Sequence, residues 1–264
     1  MRSFKSDAPG AGPTGALVPA YFENTLRPLQ SAFFLLPLIL IYEAGLVRYG
    51  TAAVDRTARD IYARRLLYDV FEWFGISGYY LPGLVVMVVL VSIHLVRRDS
   101  WCFKPRHYMY MGVESIALSL PLFVFSLVLF RGGRVASAAD SHAILWQGQL
   151  VFSIGAGIYE ELLFRLIGLA VLHGLFADVF GLASWASTLL SIALSAMAFA
   201  LYHFDFTEQN PFIWGLFLFY ALAGIYFAGI YLARGFGVAA ASHAMYDVLV
   251  MLFQLVNSHN QVGQ

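Results

Sequence analysis

The stretch that decides the fold is GQLVFSIGAGIYEELLFRLIGLAVL, residues 148–172. A helix needs about 20 apolar residues to cross the hydrocarbon core of a bilayer, and this stretch has that length, yet Glu160, Glu161 and Arg165 lie inside it. A charged side chain at that depth costs about 2.5–3.5 kcal/mol on insertion scales, so such residues are functional candidates by default. Working outward, six further windows have the same apolar character: 29–47, 79–96, 108–130, 181–203, 211–233 and 236–256. They predict an all-α fold, a polytopic membrane helical bundle of about seven to eight transmembrane helices. Pro37 and Pro121 fall inside spans and are expected to kink them, which neighbouring helices in a bundle can accommodate.

Composition agrees. The chain is 60% hydrophobic and only 12% charged, against about 25% charged in an average soluble domain. A formal net charge of zero removes any electrostatic case for a nucleic-acid partner. The single cysteine, Cys102, excludes an internal disulfide and a cysteine-clustered metal site. Residues 1–20 are rich in Gly, Ala and Pro and lack the apolar core of a cleaved signal peptide. The expected organisation is a mobile tail over 1–26, an N-terminal transmembrane region over 27–147, a catalytic transmembrane core over 148–256 and a short tail over 257–264.

Between the first two spans, residues 55–74 place Leu67, Val70, Phe71 and Phe74 at the spacing of one helical face. Arg56, Arg59, Arg64 and Arg65 crowd the first half of the segment, which suggests an interfacial amphipathic helix lying along the headgroups. Lys and Arg are shared almost evenly between the two sets of loops, so the positive-inside rule gives only a slight lean to a cytoplasmic amino terminus. The small-residue runs Gly224–Gly229 and Gly235–Ala239 read as helix-packing surfaces.

Three segments carry chemistry. In IYEELLFRL, Glu161 and Arg165 are four apart and stack on one face as an ion pair. Glu160 points about 100° away and is left as the carboxylate able to take a proton, which suits a general base. One turn earlier, Gly155 and Gly157 permit the close approach of another backbone or of a peptide. In FALYH, residues 199–203, Phe199 sits one turn before His203 and can pack beside its ring. Asp205 and Glu208 follow in a short polar loop and read equally well as solvated surface. In SHAMYD, residues 242–247, His243 and Asp247 share a face, and Asp247 is placed to orient the imidazole. Packing carboxylates hydrogen-bonded between helices and a self-satisfied His–Asp pair are the plainer readings of the same residues.

Other polar groups carry less. Glu43 and Glu114 lie in spans without a basic partner at helical spacing and read as interhelical hydrogen-bonding groups. His94 falls near the span end at Arg97 and Arg98 and reads as interfacial, and His173 follows the motif helix closely enough to line the same cavity. No serine shows a GxSxG turn or a spaced lysine, so a serine mechanism has no support.

Taken in order, Glu160-Glu161-Leu-Leu-Phe-Arg165, Phe199-Ala-Leu-Tyr-His203 and His243-Ala-Met-Tyr-Asp247 resemble the EExxxR, FxxxH and HxxxN/D motifs of the CPBP family. This is the family of CAAX proteases and bacteriocin-processing enzymes, also called Abi. The resemblance covers about residues 150–250. It implies an intramembrane glutamic endopeptidase in which Glu160 activates water with help from His203. His243 would stabilise the oxyanion with Asp247 beside it, and Arg165 would hold the carboxylate cluster, leaving Glu161 and Phe199 in support. The implied substrate is a membrane-associated protein or peptide and no cofactor is required; the compact chain and the aspartate at 247 make a bacterial inner membrane the expected setting. One position departs from the prenyl-protein branch, which carries asparagine where this chain has Asp247. An amide can donate to an oxyanion and an ionised carboxylate cannot, so the expected role of Asp247 is to orient His243.

Two alternatives stay open on the residues alone. A zinc-dependent protease of the same fold would use Glu160, His203, His243 and Asp247 as ligands, since imidazole and carboxylate both suit zinc; no HExxH helix is present. A non-catalytic membrane peptide-binding or immunity protein could hold a peptide in the same cavity without cutting it. Nothing in the sequence sets an oligomeric state.

Overall fold

A computed structural model describes residues 17–50, 61–76, 80–130, 145–204 and 212–262. All the regular structure among these residues is helical. The elements are α1 (Leu17–Thr25), α2 (Pro28–Gly45), α3 (Tyr62–Trp73), α4 (Leu81–Arg97), α5 (Pro105–Leu129), α6 (Trp146–Glu161), α7 (Ala170–Gly174), α8 (Ser184–Tyr202), α9 (Trp214–Arg234) and α10 (Phe236–Val262). Short π-helical segments extend α2 over Leu46–Gly50 and join α6 to α7 over Leu162–Leu169, with a third over Leu175–Val179.

Six helical runs are long and apolar enough to cross a membrane, and the seventh window appears as the 17-residue α4. The window expected over 148–172 is longer than the sequence suggested, continuing as one run from Trp146 to Val179. Helices α2 and α5 both continue through their prolines, Pro37 and Pro121.

Helix α10 is the central element, with 72% of its apolar window buried; it packs on α5, α6, α9 and α2. Small residues make this possible. A Cβ at Gly157 would stand 2.5 Å from both the carbonyl oxygen of Ala240 and the amide nitrogen of Ala244, so α6 and α10 touch backbone to backbone there. Gly224 does the same for α9 against α8, where a Cβ would meet the Cα of Ala196 at 2.9 Å. The second half of that run behaves differently, since a Cβ at Gly229 meets nothing within 4 Å. Gly235 turns the chain from α9 into α10 at φ +84°, the left-handed region that favours glycine.

The segment between the first two spans departs from expectation. Its described part, α3, turns Ala63, Arg64 and Leu67 inward, while Val70, Trp73 and Phe74 are exposed. Arg64 is buried because it pairs with Glu43 of α2 at 3.6 Å, an inward cation that a headgroup-facing pattern does not foresee. Arg56 and Arg59 lie outside the described residues, as do Asp205 and Glu208.

Glu114 also finds an interhelical partner. It forms a two-point ion pair with Arg234 at the end of α9 and accepts a hydrogen bond from the Tyr21 hydroxyl at 2.5 Å. Burial, and then the neighbouring Glu114 carboxylate, hold that hydroxyl well above the usual tyrosine range. Arg234 stacks over Phe22 at 4.0 Å, so α1 is pinned to the bundle by one cation and two rings. His94, in the last turn of α4, is buried and meets Trp101 edge-on at 4.6 Å.

Candidate active site

The charged centre of α6 is placed by two neighbours of different kinds. On one side the Gly157 contact brings α10 close, and on the other the π-helical turn over Leu162–Leu169 carries Arg165 round to face Glu161. Such turns widen the helix by one residue and leave carbonyls to be satisfied elsewhere. Here the Ser195 hydroxyl of α8 donates to the Phe164 carbonyl at 2.7 Å.

Glu161 and Arg165 are both fully buried, with Nε 3.2 Å from Oε2. Arg165 also donates from Nη2 to the Gly224 carbonyl at 3.1 Å and lies over the Phe199 ring at 4.4 Å. The guanidinium is thus held by a carboxylate, a backbone oxygen and an aromatic face. The Nδ1 of His243 lies 2.9 Å from Glu161 Oε1. Because a carboxylate only accepts, that nitrogen carries the proton when the bond forms. Glu161, rather than Asp247, is therefore the group that orients His243. Asp247 Oδ2 stands 3.9 Å from the other ring nitrogen, too far for a hydrogen bond.

His203 closes α8, and its Nδ1 lies 2.8 Å from the Phe199 carbonyl oxygen, an acceptor, so Nδ1 is the donor and Nε2 faces inward. Glu160 Oε2 is 3.9 Å from the Nε2 atoms of both His203 and His243. That oxygen is buried and has no hydrogen-bond partner among the described residues. Glu160 therefore sits between two imidazoles, each tied down through its far nitrogen.

Helix α9 completes the site without a motif of its own. Tyr220 stacks on the His203 ring at 4.0 Å and 19°, and Phe227 stacks on His243 at 4.6 Å and 15°. Phe199 meets both imidazoles edge-on. Their spacing puts Tyr220, Gly224 and Phe227 on one helical face, as for any packed span, and nothing in it points to the imidazoles. Beside the pair opens a cavity lined by His203, Tyr220, Ala223, His243, Tyr246 and Asp247 among others. His173 does not line it and is half-buried on α7.

The structure thus brings together Glu160, Glu161 and Arg165 from α6 and its π-helical continuation, Phe199 and His203 from the end of α8, and His243 and Asp247 from α10. The donor pairs are spaced more widely than the atoms of a tetrahedral zinc shell. Bonds of 2.0–2.1 Å in a tetrahedral shell put donor atoms about 3.3 Å apart, whereas the donor pairs here are spaced at 3.9 Å. Among the described residues no three His, Cys, Asp or Glu groups converge as metal ligands.

Comparison with known families agrees with the three motifs. Residues 142–249 match the family model described as type II CAAX prenyl endopeptidase Rce1-like. No curated protein and no solved structure matches the chain. The resemblance read from the motifs is borne out over the matched stretch. Together with the apolar helices, it supports an integral membrane protein whose residues 142–249 are similar to that family.

Proposed function

We propose that the chain is an intramembrane endopeptidase that cuts a membrane-associated protein or peptide using water activated by Glu160. The observation that carries this reading is the buried Glu160 Oε2, without a hydrogen-bond partner among the described residues and 3.9 Å from two imidazole nitrogens. Each gap is too long for a direct hydrogen bond and short enough for one water to touch both ends.

Glu160 takes a proton from that water, and the oxygen attacks the scissile carbonyl carbon. The carbonyl π bond becomes an alkoxide opposite His243, whose ring, protonated on both nitrogens, donates from Nε2 to the alkoxide while Nδ1 remains bonded to Glu161. Collapse of the tetrahedral intermediate breaks the C–N bond. The proton held by Glu160 passes to the leaving amine, with His203 Nε2 close enough to relay it. Arg165 touches no reacting atom and keeps Glu161 in place. The apolar walls from Phe199, Tyr220 and Phe227 limit competing solvent, which strengthens each of these interactions.

The setting we propose is the bacterial inner membrane, with residues 148–256 as the catalytic unit. Glu160→Gln preserves the shape of the side chain and removes the base. In the full-length protein at matched expression, cleavage is expected to fall by about 10²–10⁴-fold. Retained turnover would reject the scheme.

A further inference from the structure

Where α2 begins, α4 ends and α5 begins, one end of the bundle gathers five cations: Arg27, Arg97, Arg98, Lys104 and Arg106. The loop between α4 and α5 that carries most of them is tied to the start of α2 at two points. Arg27 donates from Nη1 to the Ser100 hydroxyl at 2.7 Å, and Gln30 donates from Nε2 to the Cys102 carbonyl at 2.6 Å. Rings fix it further, Trp101 against the buried His94 at 4.6 Å and Phe103 edge-on to Phe33 at 5.3 Å. Both rings are nonetheless exposed, as are Arg97, Arg98, Lys104 and Arg106. The stretch 97–106 contains a single carboxylate, Asp99, and among the described residues none of the five cations is ion-paired. Arg98 ends α4 at φ 55°, the only non-glycine in the left-handed region among the described residues. Glycine adopts that conformation without a steric cost, so an arginine is displayed here against a backbone penalty. Strain of this kind points to use of the side chain.

We infer that this face is a binding site for anionic phospholipid. Its cations meet the phosphate of an acidic headgroup, and Trp101 and Phe103 enter the boundary between headgroups and acyl chains. A bilayer is the partner, rather than an acidic soluble protein, because the exposed rings continue the apolar surface of the helices that the loop joins. The net charge of the headgroup sets the selectivity, since a zwitterionic lipid already balances its own phosphate. The site is independent of the peptidase reading.

The test measures binding of radiolabelled phosphatidylglycerol and phosphatidylcholine to purified full-length protein in detergent at low salt. Wild type should prefer phosphatidylglycerol by more than about tenfold, and Arg98→Gln and Arg106→Gln should each lower that preference about fivefold. Arg48→Gln, on an exposed side chain at the far end of the α2 run, should leave it unchanged. Equal binding of the two lipids by wild type would overturn the inference. So would a preference that survives both Arg98→Gln and Arg106→Gln, or one that falls as far in Arg48→Gln. Displacement of phosphatidylglycerol by inorganic phosphate at constant ionic strength would show a site for the free anion instead, and would also overturn it.

Discussion

His243 donates from Nδ1 to Glu161 at 2.9 Å, and Glu161 in turn holds Arg165 at 3.2 Å. The two adjacent carboxylates of α6 therefore divide their work. Glu161 binds a cation and orients an imidazole, and Glu160 faces the nitrogens of both imidazoles. This division predicts different consequences for the two Glu→Gln changes.

Glu161→Gln leaves Arg165 buried without its counter-charge, so it should destabilise the protein by about 3–5 kcal/mol as well as reduce activity. Glu160→Gln should reduce activity with little change in stability. Thermal unfolding of the two purified variants in the same detergent separates the cases. Equal melting temperatures would contradict the assignment.

The approach of α6 to α10 at Gly157 gives a second prediction. Gly157→Ala puts a methyl 2.5 Å from two backbone atoms of α10, and neither can move like a side chain. Overpacking of this kind costs about 1–3 kcal/mol, and it should also displace Glu160 from His243 and lower activity. Gly229→Ala meets nothing within 4 Å and should be near neutral in both measurements. Normal activity and stability in Gly157→Ala would argue against the packed interface.

A third prediction concerns α3. Arg64 pairs with Glu43 at 3.6 Å, and Glu43 accepts the Tyr159 hydroxyl at 2.9 Å, one residue before Glu160. The Ala63 amide of the same helix donates to the Tyr202 hydroxyl at 2.9 Å, one residue before His203. Arg64→Met should strand the Glu43 charge and cost about 3–5 kcal/mol, whereas Arg64→Met with Glu43→Gln should restore much of that loss. A double-mutant cycle on unfolding measures the coupling, and additive losses would show that the pair does not interact.

Much of this was legible in the sequence. The seven apolar windows found their helices, and Glu161–Arg165 lies on one face as the four-residue spacing required. Two features were not. Asp247 shares a face with His243 and looked like its orienting partner, but across the bundle Glu161 comes nearer, and spacing within one helix carries no information about distances between helices. Likewise, Arg64 among other arginines reads as a headgroup contact until α2 brings Glu43 beneath it. Tyr220 and Phe227 were hidden for a related reason, since aromatic residues in an apolar span carry no mark of the imidazoles they stack on.

The spacing of the donor atoms makes a prediction about metals. Full-length protein purified without chelator should contain far less than one zinc per chain, and its activity should survive exposure to a strong chelator. Near-stoichiometric zinc whose removal abolishes cleavage would require the two histidines and Glu160 to draw in from 3.9 Å, and would contradict the glutamate scheme.

The most direct measurement compares new peptide termini in membranes of cells expressing wild type with those expressing Glu160→Gln at matched levels. Termini present only with wild type are predicted, and they would give the substrate and the cut site together. Identical termini in the two, with both proteins folded and in the membrane, would contradict the assignment of Glu160 as the base of an endopeptidase.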